Sequence, residues 1–217
     1  MFVGHLGAGL AARRLAPPVS LGVLFLATMG LDALLWVFVL LGLETVEFPA
    51  TLLGPRYPIF VFPYSHGLVA SLGWSGLAFA ATRACGQGIG MSLVVGATVF
   101  SHFALDALVH VAGLPLLDAG SYHVGLALWR HTGLELAVEC ALGALGWWLY
   151  AGAPNSARGA RRWGLGALLA LCALLTVWGG LATGPPPPPA AMAIISLLTI
   201  AVVSALGFRL DRAGRIR

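Results

Sequence analysis

Long apolar stretches make up most of this chain, and short polar segments separate them. Six stretches are predominantly apolar, near residues 19–43, 65–82, 91–112, 133–152, 163–182 and 190–208. Each comes close to the about 20 residues that a helix needs to cross the hydrocarbon core of a bilayer. The separating segments carry prolines, glycines or arginines, which end helices or mark membrane boundaries. The pattern predicts an all-α, polytopic integral membrane protein with about six transmembrane helices.

The N-terminal segment is apolar but too short to span a membrane. Residues 2–15 are apolar except for His5 and the pair Arg13-Arg14, and Pro17-Pro18 separates them from the first predicted span. We expect a short re-entrant helix that the two arginines anchor at the inner surface. The alternative is a helix that lies in the membrane interface, with His5 at the surface.

Composition and charge agree with a membrane protein. The 217 residues are 59% hydrophobic and 9% charged, with a mean hydropathy of +0.91, whereas a soluble domain carries roughly 25% charged residues. All twelve basic residues are arginines, and ten of them lie on one side if both termini are cytoplasmic. The net charge of +4 is therefore explained by topology, and we expect no nucleic-acid partner. Three scattered cysteines without a Cys-x-x-Cys pair predict neither a disulfide framework nor a thiolate zinc site.

The third predicted span contains the strongest chemical signal. His102, Asp106 and His110 are spaced i, i+4, i+8, which keeps them within about 80° of one another on a helix. Ionisable groups at membrane depth are costly and usually face a partner, a cavity or an ion. Imidazole and carboxylate together form a common ligand set for zinc and other divalent metals. A hydrogen-bonded pair between helices is the structural alternative.

Other ionisable side chains fall at a similar predicted depth. Asp32 lies within the first span, His66 begins the second, and the fourth opens with His131, Glu135 and Glu139 at the same i, i+4, i+8 spacing. We expect these groups to meet between the middle of the membrane and its outer face. Two further polar residues, Asp118 and His123, occur in the outer loop, where a solvated role is the simpler interpretation.

The two C-terminal spans differ from the first four. No acidic residue, arginine or histidine occurs between residues 163 and 208. We therefore divide the chain into a functional region, residues 1–152, and a region of two scaffold spans with a basic tail, residues 153–217. Histidine and carboxylate ligands without cysteine favour zinc, with manganese or iron as alternatives.

Three functions are compatible with such a site. A bound metal can activate water for hydrolysis, with Glu139 or His110 acting as general acid or base. The cluster could instead carry metal or protons across the membrane, or a metal could stabilise a membrane partner subunit. Haem ligation by paired histidines is a further possibility, but the many neighbouring carboxylates argue against it.

Several short motifs resemble those of a known family. They are Gly4-His5, Asp32, Ser65-His66-Gly67, Ser101-His102-x3-Asp106 and the segment Gly113-Leu-Pro-Leu-Leu117. In these motifs residues 1–150 resemble a family of inner-membrane metal-dependent hydrolases, itself similar to the zinc-dependent phospholipases C. One acid of the family's Pro-Asp-x-Asp motif in the first span is absent here, because residues 30–34 read Gly-Leu-Asp-Ala-Leu.

The resemblance implies a ligand set and an activity. The implied metal ligands are His5, Asp32, His66, His102 and Asp106, and His131-x3-Glu135 has the spacing of a second ligand pair. The implied activity is hydrolysis of a membrane-associated ester or phosphoester in a bacterial inner membrane, with a lipid or lipid-linked substrate. His110 and Glu139 are then further ligands or acid–base groups.

Overall fold

The computed structural model describes residues 1–48, 58–154, 156–182 and 185–211. Within these ranges the regular secondary structure is almost entirely helical, which confirms the all-α prediction. The helices are α1 (Val3–Leu15), α2 (Leu21–Thr28), α3 (Gly30–Leu40), α4 (Leu68–Ala84), α5 (Ile89–Val109), α6 (Thr132–Ala151), α7 (Ala160–Leu181) and α8 (Pro189–Asp211). Two small antiparallel ladders pair β1 (Thr45–Glu47) with β2 (Ile59–Val61) and β3 (Leu114–Pro115) with β4 (His123–Val124).

Four helices of the described chain, α5 to α8, are each long and apolar enough to cross a membrane. Together, α2 and α3 make a fifth candidate span, bent by 54°. This supports an integral membrane protein with four or five spans. The remaining predicted span corresponds to α4, which has 17 residues and reaches only about 26 Å at 1.5 Å per residue. Six spans therefore remain a prediction.

The bend in the first predicted span falls at Met29, between α2 and α3. Met29 has backbone angles of φ −101° and ψ 6°, outside the helical range, and it precedes Gly30, a residue that weakens helices. Asp32 consequently lies in the first turn of α3. A carboxylate is favoured there because unpaired amides at a helix N-terminus carry partial positive charge.

The N-terminal helix is packed inside the bundle. His5 is fully buried, so the alternative of an interfacial helix with His5 at the surface does not describe this structure. The closest neighbour of α1 is α6, and their backbones touch where Gly7 meets Gly146. A Cβ atom at Gly146 would overlap the carbonyl oxygen of Gly7. Two glycines at this crossing therefore let α1 lie against α6.

A buried ionic cluster joins five segments at the end of α1 away from His5. The Nε atom of Arg13 donates to Oδ2 of Asp211 at 2.9 Å, and the amide of Leu21 donates to the same oxygen at 2.8 Å. The Tyr150 hydroxyl lies 3.4 Å from Oδ1 of Asp211 and accepts the amide of Ala157 at 2.9 Å. The cluster thus links the ends of α1, α6 and α8 to the start of α2 and to the loop after α6.

Candidate metal centre

Five of the predicted ligands converge on one small volume. His5 comes from α1, Asp32 from α3, His66 from the turn before α4, and both His102 and Asp106 from α5. All of these residues except Asp32 are at most 2% exposed. The Asp32 side chain is 23% exposed, so the cluster opens on that side.

The distances between ligand atoms are those of a compact coordination site. The Nε2 atoms of His66 and His102 are 3.1 Å apart. Oδ1 of Asp32 lies 3.5 Å from each of these nitrogens. Oδ2 of Asp106 lies 3.6 Å from Nε2 of His66 and 3.3 Å from Nε2 of His102. Zinc–ligand bonds of about 2.0–2.2 Å place the ligand atoms of a tetrahedral site about 3.3–3.6 Å apart. The measured separations are close to this range.

The bend between α2 and α3 orients His102. Nδ1 of His102 lies 2.6 Å from the carbonyl oxygen of Thr28, at the end of α2. A carbonyl oxygen can only accept, so Nδ1 carries the hydrogen, and in the neutral ring the lone pair of Nε2 faces the cluster. Metal-binding histidines are typically held by such a bond from the second ring nitrogen.

His66 is oriented through a serine and a buried glutamate. Nδ1 of His66 lies 2.8 Å from the Ser65 hydroxyl, which in turn donates to Oε2 of Glu44 at 2.7 Å. Oε1 of Glu44 accepts the backbone amides of Tyr64 and Ser65, both at 2.9 Å. Burial raises the pKa of the Glu44 carboxyl, and the hydrogen bonds from Ser65 and Tyr64 oppose that rise.

Sequence reasoning missed Glu44, because an acid in a proline-containing connection is typical of a solvated loop. The only available signal was its position, 21 residues before the Ser65-His66 motif, and such a separation has no regular spacing.

His5 completes the group from the other side. Its Nε2 atom lies 3.1 Å from Oδ1 of Asp106, and its ring stacks on that of His102 with centroids 3.8 Å apart. Nδ1 of His5 is buried without a hydrogen-bond partner among the described residues. The amino nitrogen of Met1 also lies 3.2 Å from Oδ1 of Asp106.

Two overlapping sets of side chains could hold a metal ion. One set is His66, His102 and Asp106, and the other is His5, Asp32 and His102. Both combine imidazole nitrogen with carboxylate oxygen, the donor types that zinc, manganese and iron accept. The donor chemistry and the spacing of the ligand atoms fit a bound divalent cation.

A small cavity of about 100 Å³ adjoins the open side of the cluster. Asp32, His66, Asp106 and His110 contribute its polar surface. Apolar and aromatic side chains make up most of the remaining wall, namely Leu35, Trp36, Phe60, Phe62 and Trp129. The site therefore combines a charged floor with walls suited to an apolar molecule.

The remaining predicted residues lie in three different environments. His110 lines the cavity, with Nε2 3.6 Å from Oδ2 of Asp106. The carboxylate of Glu139 instead accepts the amides of Phe2 and Val3 at the start of α1, the second at 2.6 Å. Glu135 is buried near it on α6. His131 and Asp118 are exposed, and His123 is half-buried in β4.

Comparison with known proteins gives no relative. No family model matches the chain, and no match is found among curated proteins or among solved structures. What can be said about function therefore depends on the residues and their geometry.

Proposed function

We propose that this chain is a membrane-embedded, metal-dependent hydrolase that acts on a membrane-associated ester or phosphoester. The observation that carries the proposal is the pair of Nε2 atoms of His66 and His102, which face each other at 3.1 Å. Both rings use Nδ1 for a hydrogen bond on the far side. At this distance the two nitrogens are held together either by a hydrogen, with one ring protonated, or by a metal cation, and the carboxylates of Asp32 and Asp106 supply negative charge that favours a cation there.

The cation that we propose is a divalent metal, with zinc preferred and manganese or iron as alternatives. The proposed ligands are His66, His102, Asp32 and Asp106, and His5 joins them through its contact with Asp106. When bound, such an ion supplies Lewis acidity and a nucleophile derived from water at neutral pH.

A lipid or lipid-linked substrate agrees with the surroundings of the cluster. The adjoining cavity has walls of Trp36, Phe60 and Phe62, which an acyl or isoprenoid chain can contact without the cost of burying polar groups. A lipid reaches such a depth laterally, whereas a water-borne molecule must cross apolar surface. This proposal includes the six-span topology, cytoplasmic termini and a bacterial inner membrane.

The acid–base role in this proposal belongs to His110. Its imidazole lines the cavity and lies 3.6 Å from Oδ2 of Asp106, so it can exchange a proton with a leaving group held between the cluster and the aromatic wall. Glu139 is less suited, because its carboxylate is occupied by backbone amides of α1.

Elemental analysis of detergent-purified protein tests the metal site. We expect one or two zinc, manganese or iron ions per chain in the wild type, and loss of that metal in Asp106→Asn. Asp118→Asn is the matched control, because Asp118 is an exposed loop residue. A wild-type protein that stays free of metal after reconstitution, or an Asp106→Asn variant with full occupancy, would refute the site.

Turnover of lipid esters tests the reaction. The metal-loaded protein is incubated in vesicles with phospholipids and with lipid-linked phosphates, and released products are measured with and without a chelator. We expect hydrolysis that the chelator abolishes and that Asp106→Asn lacks. A metal-loaded protein that turns over none of these substrates counts against the hydrolase.

A metal or proton transporter is the second candidate, and the break between α2 and α3 at the site favours it. Transporters commonly bind ions where a membrane helix is interrupted. One observation counts against a transporter. Between His5 and Arg13, α1 has no ionisable side chain over about 12 Å, so this helix offers no ligand to an ion that moves from the cluster toward Arg13. Metal or proton flux into proteoliposomes without lipid turnover would establish the transporter instead.

A further inference from the structure

Glu44 is buried although it lies in a connection between two secondary-structure elements. The residue follows α3 and precedes β1, yet it is only 2% exposed. Its carboxylate accepts three hydrogen bonds, from the amides of Tyr64 and Ser65 and from the Ser65 hydroxyl. Burying a carboxylate is costly, so such a complete set of donors on one short segment indicates a specific task for that segment.

The segment that Glu44 holds leads directly to His66. Ser65 has one hydroxyl hydrogen, and that hydrogen points to Oε2 of Glu44 at 2.7 Å. The contact of 2.8 Å between the Ser65 oxygen and Nδ1 of His66 therefore requires Nδ1 to be the donor. A neutral imidazole carries one hydrogen, so Nε2 of His66 presents its lone pair to His102 and Asp106.

We propose that Glu44 is a positioning residue that, through Ser65, fixes His66 in the tautomer with hydrogen on Nδ1 and so prepares Nε2 to bind metal. The metal-binding part of this inference rests on the proposed function, whereas the tautomer does not. Ser65 is fully buried, so it cannot contact substrate as a nucleophile. Its place between Glu44 and His66 is that of a hydrogen-bond relay.

The variant Glu44→Gln separates the relay from packing. The side-chain amide keeps the size of Glu44, and its oxygen can still accept the amides of Tyr64 and Ser65. Its NH₂ group, however, donates to the Ser65 hydroxyl where the carboxylate accepted. The Ser65 hydrogen then turns to Nδ1 of His66, which forces the ring hydrogen onto Nε2. The matched control is Glu47→Gln, the same chemical change at an exposed residue of β1.

Two measurements test the proposal. In metal-free protein with ¹⁵N-labelled histidine, nitrogen chemical shifts report the tautomer of His66, assigned by the signals missing in His66→Gln. We expect hydrogen on Nδ1 in the wild type and in Glu47→Gln, and on Nε2 in Glu44→Gln. For Zn²⁺ binding by competition titration, we expect a loss of roughly 10- to 100-fold in Glu44→Gln and in Ser65→Ala, the usual effect of losing such a partner.

The outcomes distinguish this proposal from the metal site itself. An unchanged His66 tautomer in Glu44→Gln overturns the relay, whether or not the protein binds zinc. A changed tautomer in a protein whose wild type binds no zinc supports the relay and refutes the proposed function. Ser65→Thr keeps the hydroxyl and is expected to retain wild-type zinc affinity. If Ser65→Thr remains folded but loses as much zinc affinity as Ser65→Ala, the lower affinity of Ser65→Ala does not come from the loss of the hydroxyl.

Discussion

The carbonyl oxygen of Thr28 accepts a hydrogen bond of 2.6 Å from Nδ1 of His102. In a continuous helix that carbonyl would pair with the amide four residues later, at Asp32. The bend at Met29 therefore does two things for the cluster, because it frees the Thr28 carbonyl for His102 and places Asp32 in the first turn of α3. The irregular backbone is satisfied inside the protein, as membrane depth requires.

His110 provides a test that separates chemistry from metal binding. We expect His110→Gln to keep the metal, because the ring contributes only a 3.6 Å contact with Asp106, and to lower kcat by about 10²–10⁴-fold, the usual effect of losing a general acid or base. Metal content and lipid hydrolysis are measured on the same preparations. His123→Gln, at a half-buried residue of β4, is the control. Loss of metal in His110→Gln would make His110 a ligand instead.

Glu139 is expected to act as a cap for α1. Its Oε1 atom accepts the amides of Phe2 and Val3, two donors that the helix itself leaves unpaired. Glu139→Gln keeps an accepting oxygen and should retain most stability and activity. Glu139→Ala should lower the free energy of unfolding by about 0.5–2 kcal/mol, as for other lost caps. If Glu139→Gln abolishes turnover at unchanged Tm and metal content, Glu139 is catalytic.

Sequence patterns predicted the helices and the His/Asp groups well, for physical reasons. Apolar stretches of span length indicate helices, and the i, i+4, i+8 row places His102, Asp106 and His110 on one face. Patterns did not predict the bend at Met29, because the apolar character of the stretch continues through it. They also missed the relay from Glu44, since it depends on how a loop folds back.

The ion pair between Arg13 and Asp211 is another feature that the sequence pattern did not predict. Asp211 follows the last apolar stretch of the sequence and lies between Arg209 and a basic tail, which suggests a solvated helix end. In the structure it is 6% exposed and bonds to Arg13, 198 residues away. A contact over such a separation is set by packing of the whole bundle, so sequence spacing gives no sign of it.

Removing the charge of Arg13 should destabilise the protein without acting on the metal centre. Arg13→Gln leaves the Asp211 carboxylate buried without its cation, and breaking a buried ion pair costs about 3–5 kcal/mol. Arg14→Gln is the matched control, because Arg14 is the neighbouring exposed arginine. Thermal unfolding in detergent should show a clear loss of Tm for Arg13→Gln and little change for Arg14→Gln. Equal Tm values for the two variants would contradict a stabilising pair.

The contact between Gly7 and Gly146 makes the position of His5 sensitive to a single methyl group. A Cβ atom at Gly146 would overlap backbone atoms of Gly7, and backbone cannot rotate away as a side chain can. Gly146→Ala must therefore push α1 from α6, at a cost of about 1–3 kcal/mol for an overpacked core. Because His5 lies two residues before Gly7, we also expect weaker metal binding.

Gly133→Ala is the control for this prediction, since nothing lies within 4 Å of a Cβ atom at that position of the same helix. Alanine there should leave Tm unchanged or raise it slightly, because alanine favours helix over glycine by about 1 kcal/mol. Unfolding and zinc competition are measured for both variants in the same detergent. If Gly146→Ala behaves like Gly133→Ala in both assays, α1 does not depend on close contact with α6 and His5 is held by other means.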